Sequence, residues 1–315
     1  MKKLFSIVVT VYKDEFNLPV TVPHYIEVAK KFEDDFDVEF IFVNDASPDN
    51  SYSQLKQFQK MYPQKIKLLN LTRNFGQASA MIAGFKYAKG DVVGYITSDM
   101  QDPIELFEDM LREWSNGNKL VIAERMNRED SGLSIIFSKL VHYFIHHTID
   151  KKFPKGGYDF FLMDRIVVNK LLEINERNGQ TTILLLWLGY KYTTVEYTRK
   201  RREIGKSGWS FSAKLEQVVN IFTTNSYLPL RIISSTGIVS AFFGFTYGIY
   251  SIVMWTIFGS EDARGWTSII VLITFFSGLI LLSLGIIGEY LWRIFDYLKQ
   301  RPQYIIDEII DDTEK

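Results

Sequence analysis

The stretch TSDMQDP, residues 97–103, places Asp99, Gln101 and Asp102 directly after an apolar run, GDVVGYI. Aspartate and proline at a strand end are ordinary turn formers. The same oxygen donors also suit a metal and phosphate site, because α/β sheets bind ligands at the carboxyl ends of their strands. Two other loops are of similar composition, VTVYKDE at 9–15 and VNDASPDNS at 43–51. Asp45 reads either as the acceptor of an Asx-turn or as an acceptor for a ligand N–H. Asp49 reads as a helix cap, and Asp102 as a cap for the helix after it. Further on, YTRKRREIGKSGW at 197–209 is dense in guanidinium groups. Arginine forks neutralise and orient phosphates, while a basic run beside a membrane is also drawn to anionic lipid.

Composition narrows the chemistry. The chain of 315 residues has a formal charge of −1 and no cysteine. Thiol catalysis, disulfides and cysteine-based zinc sites are excluded, and nothing points to nucleic acid as a partner. Three of the four histidines lie together at His142, His146 and His147, which leaves little for histidine chemistry elsewhere. The start, MKKLFSIVVTVYK, imitates a signal peptide but has no small-residue cleavage site, and reads as a buried first strand.

The elements that must position these groups follow from periodicity. Strand-like runs fall at 4–11, 37–43, 66–71, 91–96 and 119–123, separated by helix-like stretches near 16–32, 51–62, 75–88 and 103–116. This alternation predicts an α/β fold, a mostly parallel sheet with helices on both faces. Residues 131–150 and 209–226 have the patterning of amphipathic helices, the second suited to a membrane surface.

The last third differs in kind. No charged residue occurs from Ile232 to Ser260 or from Gly265 to Gly288, and about 20 apolar residues span a bilayer. Arg231 precedes the first stretch, and Arg293, Lys299 and Arg301 follow the second. Lysine and arginine favour the cytoplasmic side, so a multi-pass inner-membrane protein with both termini cytoplasmic is expected. The predicted division is 1–208 cytoplasmic α/β domain, 209–229 juxtamembrane helix, 230–290 two-span hairpin and 291–315 cytoplasmic tail.

The three carboxylate loops, the loop RNFGQASAMIAG at 73–84, the segment GGYDFFLMDR at 156–165 and the spacing Y-x-R-x-x-R-x-x-G-x-S from Tyr197 to Ser207 together resemble one family. It is that of the family-two inverting glycosyltransferases of GT-A fold, in the group that acts on polyprenyl phosphates and includes relatives of dolichyl-phosphate mannose synthase. The resemblance runs from Phe5 to about Ile305. It implies a nucleotide-sugar donor, a UDP-sugar in this reading, held by Val11, Tyr12, Asp45, Arg73 and Asp99, with Asp45 reading the base. It implies Mg²⁺ or Mn²⁺ at Asp99 and Gln101. The family pattern Asp-x-Asp-x-Gln has Thr97 here at its first position, which removes one carboxylate from the metal site. Asp159 falls where the family's proposed base sits, although this chain has Phe161 where the family has arginine. Arg199, Arg202 and Ser207 match the segment that handles the acceptor phosphate, with Arg125 and Arg128 as further candidates. The implied acceptor is undecaprenyl phosphate, the implied partner a membrane, and the implied assembly a homotetramer.

Two other readings share these residues. A processive polysaccharide synthase needs more spans and a Gln-x-x-Arg-Trp motif, which QTTILLLW at 180–187 does not supply. A sugar-nucleotide-binding scaffold would use the same loops without turnover.

Overall fold

The computed structural model describes residues 2–126, 154, 158–174, 181–198, 228–258 and 265–312. It divides into two compact units: one holds the residues up to Lys214 together with those from Pro302, the other Leu215–Arg301. The expected helices at 131–150 and 209–226 lie outside the described residues.

In the first unit, β1 (Lys3–Val11), β2 (Phe36–Asn44), β3 (Ile66–Leu71), β4 (Val92–Thr97) and β5 (Leu120–Arg125) form where the apolar runs predict them. Between them lie α1 (Leu18–Ala29), α2 (Ser51–Met61), α3 (Gln77–Tyr87) and, after a 3₁₀ turn at Ile104–Leu106, α4 (Phe107–Ser115). Then come β6 (Phe161–Asp164), α5 (Arg165–Glu173), α6 (Thr181–Trp187), β7 (Tyr192–Tyr197) and, at the far end of the chain, β8 (Ile306–Ile310).

The sheet order is β7-β5-β6-β4-β1-β2-β3-β8. β1 pairs parallel with β2 and β4, β2 with β3, and β5 with β7, while β6 and β8 run antiparallel to their neighbours. From β1 the chain moves to β2 and β3 on one side, then crosses to β4 on the other. The loops after β1 and β4 therefore diverge at a topological switch point, where open α/β sheets hold their ligands. Phe5, Ile7, Val9 and Val11 bury one face of β1 among Leu18, Val22, Phe107 and Met110. On the other face α3 lies close: a Cβ on Gly84 would stand 2.3 Å from Val8 Cγ1. Only glycine lets that helix approach so near, and the approach sets where its N-terminal loop meets the site.

The segment expected as a tail at 291–315 is two elements instead. Its first residues continue a helix to Leu298, and Ile306–Ile310 form β8 on the edge of β3. The strand escapes a hydrophobic pattern search because Glu308 occupies an inward position, where Tyr52 donates to it and Lys56 pairs with it at 2.7 Å. Lys67, 2% exposed, pairs with Asp311 at 2.9 Å.

The second unit contains α7 (Leu228–Phe258) and α8 (Gly265–Leu298). Within them Leu230–Tyr250 and Phe275–Leu298 are long and apolar enough to cross a membrane, and none of either window is buried inside the protein. Thr236, Thr246 and Ser283 return their hydroxyls to carbonyls one turn back, which satisfies them without an outside partner.

Candidate active site

The loops after β1, β2, β3 and β4 open at one edge of the sheet, and each contains one residue in the left-handed region: Lys13 (φ 57°), Ala46 (φ 50°), Gly76 (φ 90°) and Met100 (φ 56°). For a residue with a Cβ this conformation costs about 1–2 kcal/mol. Three such residues along a single sheet edge mark a place where the loop path is held against its local preference, as at binding sites.

Asp45 sits between the loops after β1, β2 and β3. It is 3% exposed, and its backbone N–H donates to the Val11 carbonyl at 3.0 Å. Its Oδ1 accepts the Phe75 N–H at 2.7 Å and its Oδ2 the Gly76 N–H at 2.9 Å. Burial pushes its carboxyl above the ordinary range, and these two amide bonds pull the other way. The Asx-turn open to Asp45 is made by its neighbour: Asn44 Oδ1 accepts the Ser47 N–H at 3.3 Å. Asp45 instead ties the β2 loop to the β3 loop. Beyond that tie, the exposed Arg73 guanidinium lies over the Phe75 ring at 4.5 Å. Tyr12, 42% exposed, stands on the β1 loop. Asp49, expected as a cap, accepts the Ser51 N–H at 3.1 Å and the Glu15 N–H at 3.3 Å, joining the first two loops.

The β4 loop carries the metal candidates. Asp99 is half-buried and its Oδ1 accepts the Thr97 hydroxyl at 2.8 Å and the Gln101 N–H at 3.3 Å. Ser98 donates to Asp14 at 2.5 Å, and the Tyr25 hydroxyl donates to the Thr97 carbonyl at 2.7 Å. The Tyr25 phenol is pushed far up by burial first and then by the neighbouring carboxylates Asp99, Asp102, Glu105 and Asp14. Among the described residues no three histidine or acidic side chains converge tightly enough to enclose an ion. Asp99 and the Gln101 amide offer hard oxygen donors, and Mg²⁺-like ions are commonly held by one or two carboxylates, with phosphate oxygens and water completing the shell. The donor set fits such an ion in the presence of a diphosphate.

Asp102, expected as a cap, is 2% exposed and accepts the Tyr197 hydroxyl on Oδ1, while Thr97 Oγ1 lies 3.4 Å from Oδ2. The 3₁₀ turn that follows begins at Ile104, with Pro103 at its N-cap and no side-chain cap. Burial explains the difference: a carboxylate enclosed in this way needs donors of its own.

Asp159 precedes β6. In the β4–β6 ladder Tyr95 faces Phe161, and the same register continued two residues puts Asp159 level with Thr97. Its Oδ2 accepts Arg125 Nη2 at 2.5 Å; the arginine side chain is 6% exposed and that of Asp159 49%. Arg125 Nε donates to the Tyr197 hydroxyl at 3.1 Å. Burial works against the charge of Arg125, but Asp159, Tyr197 and Asp102 outweigh it and raise its pKa. Phe161 lies in the core, stacked on Tyr95 at 5.4 Å. The guanidinium beside Asp159 thus comes from β5. Sequence reasoning missed Tyr197 as part of the site, though it opens the arginine-rich segment. Arg128, Arg199, Arg202 and Ser207 lie outside the described residues.

Residues 6–172 match the family described as Glycosyl transferase family 2. The uncharacterized glycosyltransferase YkcC of Bacillus subtilis is 34% identical over 308 residues, covering 96% of this chain and 93% of that protein. The prophage bactoprenol glucosyl transferase homolog of Escherichia coli is also 34% identical, covering 96% of this chain and 98% of its own length. Glucosyl-3-phosphoglycerate synthase of Mycobacterium tuberculosis, solved with uridine diphosphate, is 15% identical with a TM-score of 0.49, covering 70% of this chain and 78% of that one. With more than half of its length matched by the family and full-length relatives at this identity, the chain belongs to glycosyl transferase family 2 and is a glycosyltransferase.

Proposed function

We propose that the protein transfers a sugar, with inversion, from a UDP-sugar to a polyprenyl phosphate at the cytoplasmic face of a membrane. The observation that carries this reading is the Arg125–Asp159 pair. An alcohol acceptor needs a base to take its proton. Here one oxygen of Asp159 is already engaged by a guanidinium in a charge-assisted bond, an arrangement that suits orienting a reacting group as much as taking a proton, and a phosphate acceptor needs no base. A phosphate monoester has a second pKa near about 6 and attacks as its dianion. Full-length likeness to a relative named for bactoprenol glucosyl transfer supports the same acceptor.

In this mechanism the donor's base and ribose lie against the Val11–Tyr12, Asp45 and Arg73 loops, and its diphosphate lies toward Asp99 and Gln101. A bound Mg²⁺ or Mn²⁺ would supply Lewis-acid stabilisation of the leaving diphosphate. Asp99, steadied by Thr97, holds the oxygen donors of that corner in place. The acceptor phosphate oxygen bonds to the anomeric carbon from the side opposite the diphosphate. The carbon–oxygen bond to UDP breaks, and UDP leaves with the electron pair. Asp159, held by the enclosed Arg125, orients the reacting groups, Arg199, Arg202 and Arg128 offset the negative charge of two approaching phosphates, and Ser207 donates a hydrogen bond to them. The α7 and α8 helices are read as membrane spans with both chain ends cytoplasmic, and the assembly as a homotetramer.

The test is direct. The detergent-solubilised protein is incubated with Mn²⁺, undecaprenyl phosphate and a panel of UDP-sugars, and the lipid product is weighed by mass spectrometry. A hexose added to the lipid phosphate is expected. Donor hydrolysis alone, or transfer only to a hydroxyl acceptor, overturns the acceptor assignment.

A further inference from the structure

Asp102, on the β4 loop, and Asp159, before β6, are joined through the Tyr197 hydroxyl and the Arg125 guanidinium. We infer that Tyr197 is a positioning residue, fixing Arg125 and through it Asp159 relative to the Asp99–Asp102 loop, so that acceptor and donor are presented in register. The inference rests on the lipid-phosphate reading given above.

The geometry is consistent in donors and acceptors. A phenol donates one hydrogen and accepts through its lone pairs. Tyr197 donates to Asp102 Oδ1 and accepts from Arg125 Nε at 3.1 Å, while Arg125 Nη2 donates to Asp159 Oδ2 at 2.5 Å. The backbone fixes the same partners: Arg125 pairs with Tyr197 in the β5–β7 ladder, the Met126 N–H donates to the Tyr197 carbonyl at 3.0 Å, and the Ala123 N–H donates to the Phe160 carbonyl at 3.0 Å. The Phe160 ring meets Tyr197 edge-on at 6.2 Å. Burial falls away toward the reacting end: Asp102, Tyr197 and Arg125 are enclosed, and Asp159 alone is half-exposed. A network built only for stability has no need of an open carboxylate at its end. One that aims a carboxylate at a substrate does. Arg125 by itself can swing its fork about its side-chain torsions, and the second anchor on Nε restrains that swing.

Tyr197→Phe keeps the ring and removes the hydroxyl. In transfer to undecaprenyl phosphate its kcat is expected to fall roughly ten- to a hundredfold, the range for one charge-assisted hydrogen bond, with donor KM within about twofold of the unaltered protein. A double-mutant cycle with Asp159→Asn separates positioning from plain structural support. If Tyr197 acts through Asp159, the double variant is no slower than Asp159→Asn alone. Multiplicative losses, or unaltered kcat in Tyr197→Phe, overturn the inference. Should Tyr197→Phe melt early, Asp102→Ala, which removes the acceptor of the Tyr197 hydroxyl, enters the same cycle from the other end, with the same outcomes read the same way. Transfer by the unaltered protein is the control. If it makes no lipid product, the acceptor reading and this inference fall together; if it does, a failed cycle removes the inference alone.

Discussion

The Thr97 hydroxyl donates to Asp99 Oδ1 across 2.8 Å. The side chain at 97 therefore reaches the carboxylate that would hold the ion, and its type sets how many anionic oxygens meet there. Thr97→Asp is expected to lower the Mn²⁺ concentration for half-maximal transfer by about tenfold, and Asp99→Ala to abolish transfer without loss of fold. A metal titration that Thr97→Asp leaves unmoved would show that position 97 does not bear on the ion.

Asp45 should make donor binding sensitive to acid. Its carboxyl is raised above the ordinary aspartate value of 3.8, by burial first and against the pull of two amide bonds. Once protonated it holds the Phe75 and Gly76 N–H groups less well, so donor KM is expected to rise on acidification, with a midpoint above 3.8. Stability runs the other way: because the folded pKa exceeds the unfolded one, this carboxyl's contribution falls as pH rises through that window. Asp45→Asn removes the pH dependence and leaves donor KM high throughout. A KM profile flat with pH in the unaltered protein counts against this role.

The Lys67–Asp311 pair should matter to β8. Lys67 is 2% exposed, and Asp311 approaches it at 2.9 Å. Removing one partner of such a pair costs about 3–5 kcal/mol, whereas replacing both by apolar groups is often neutral. Asp311→Ala is expected to lower the melting temperature markedly, and Lys67→Met with Asp311→Leu to recover most of the loss. Thermal melts in detergent measure both.

Met100 tests whether loop strain is retained for geometry. Met100→Gly relieves a left-handed cost of about 1–2 kcal/mol, less glycine's own entropy of about 0.5–1 kcal/mol. A slightly higher melting temperature with lower turnover is expected. Met100→Val, β-branched at positive φ, should melt earlier than either. If glycine lowers the melting temperature, the site holds no strain to relieve.

Much of the scaffold is readable from local pattern. β1 to β5 fall within a residue or two of their apolar runs, and Asp45 and Asp99 are recognisable because they lie one and two residues past the ends of β2 and β4. What local pattern cannot carry is pairing across distance. Nothing near Asp102 announces Tyr197, and nothing near Asp159 announces Arg125, since β6 enters the sheet between strands far from it in the chain. Asp102 looks like a cap because aspartate before proline usually is one; burial by the folded sheet overrides that local preference. β8 is short and charged, and its distant partners hold it on the sheet: Tyr52 and Lys56 at Glu308, Asn70 at Asp307, Lys67 at the following Asp311, and the core against Ile310.

That last strand changes what the two long apolar helices are. The polypeptide leaves one folded body near Lys214 and returns to it at Pro302, ending on the edge of β3. The helices are therefore an insertion within the catalytic fold rather than an appendage. Truncation before them would strip a strand from the sheet, whereas excision with the two stumps rejoined would keep it. A protease nick between the helices would yield two fragments still held together by the β3–β8 ladder.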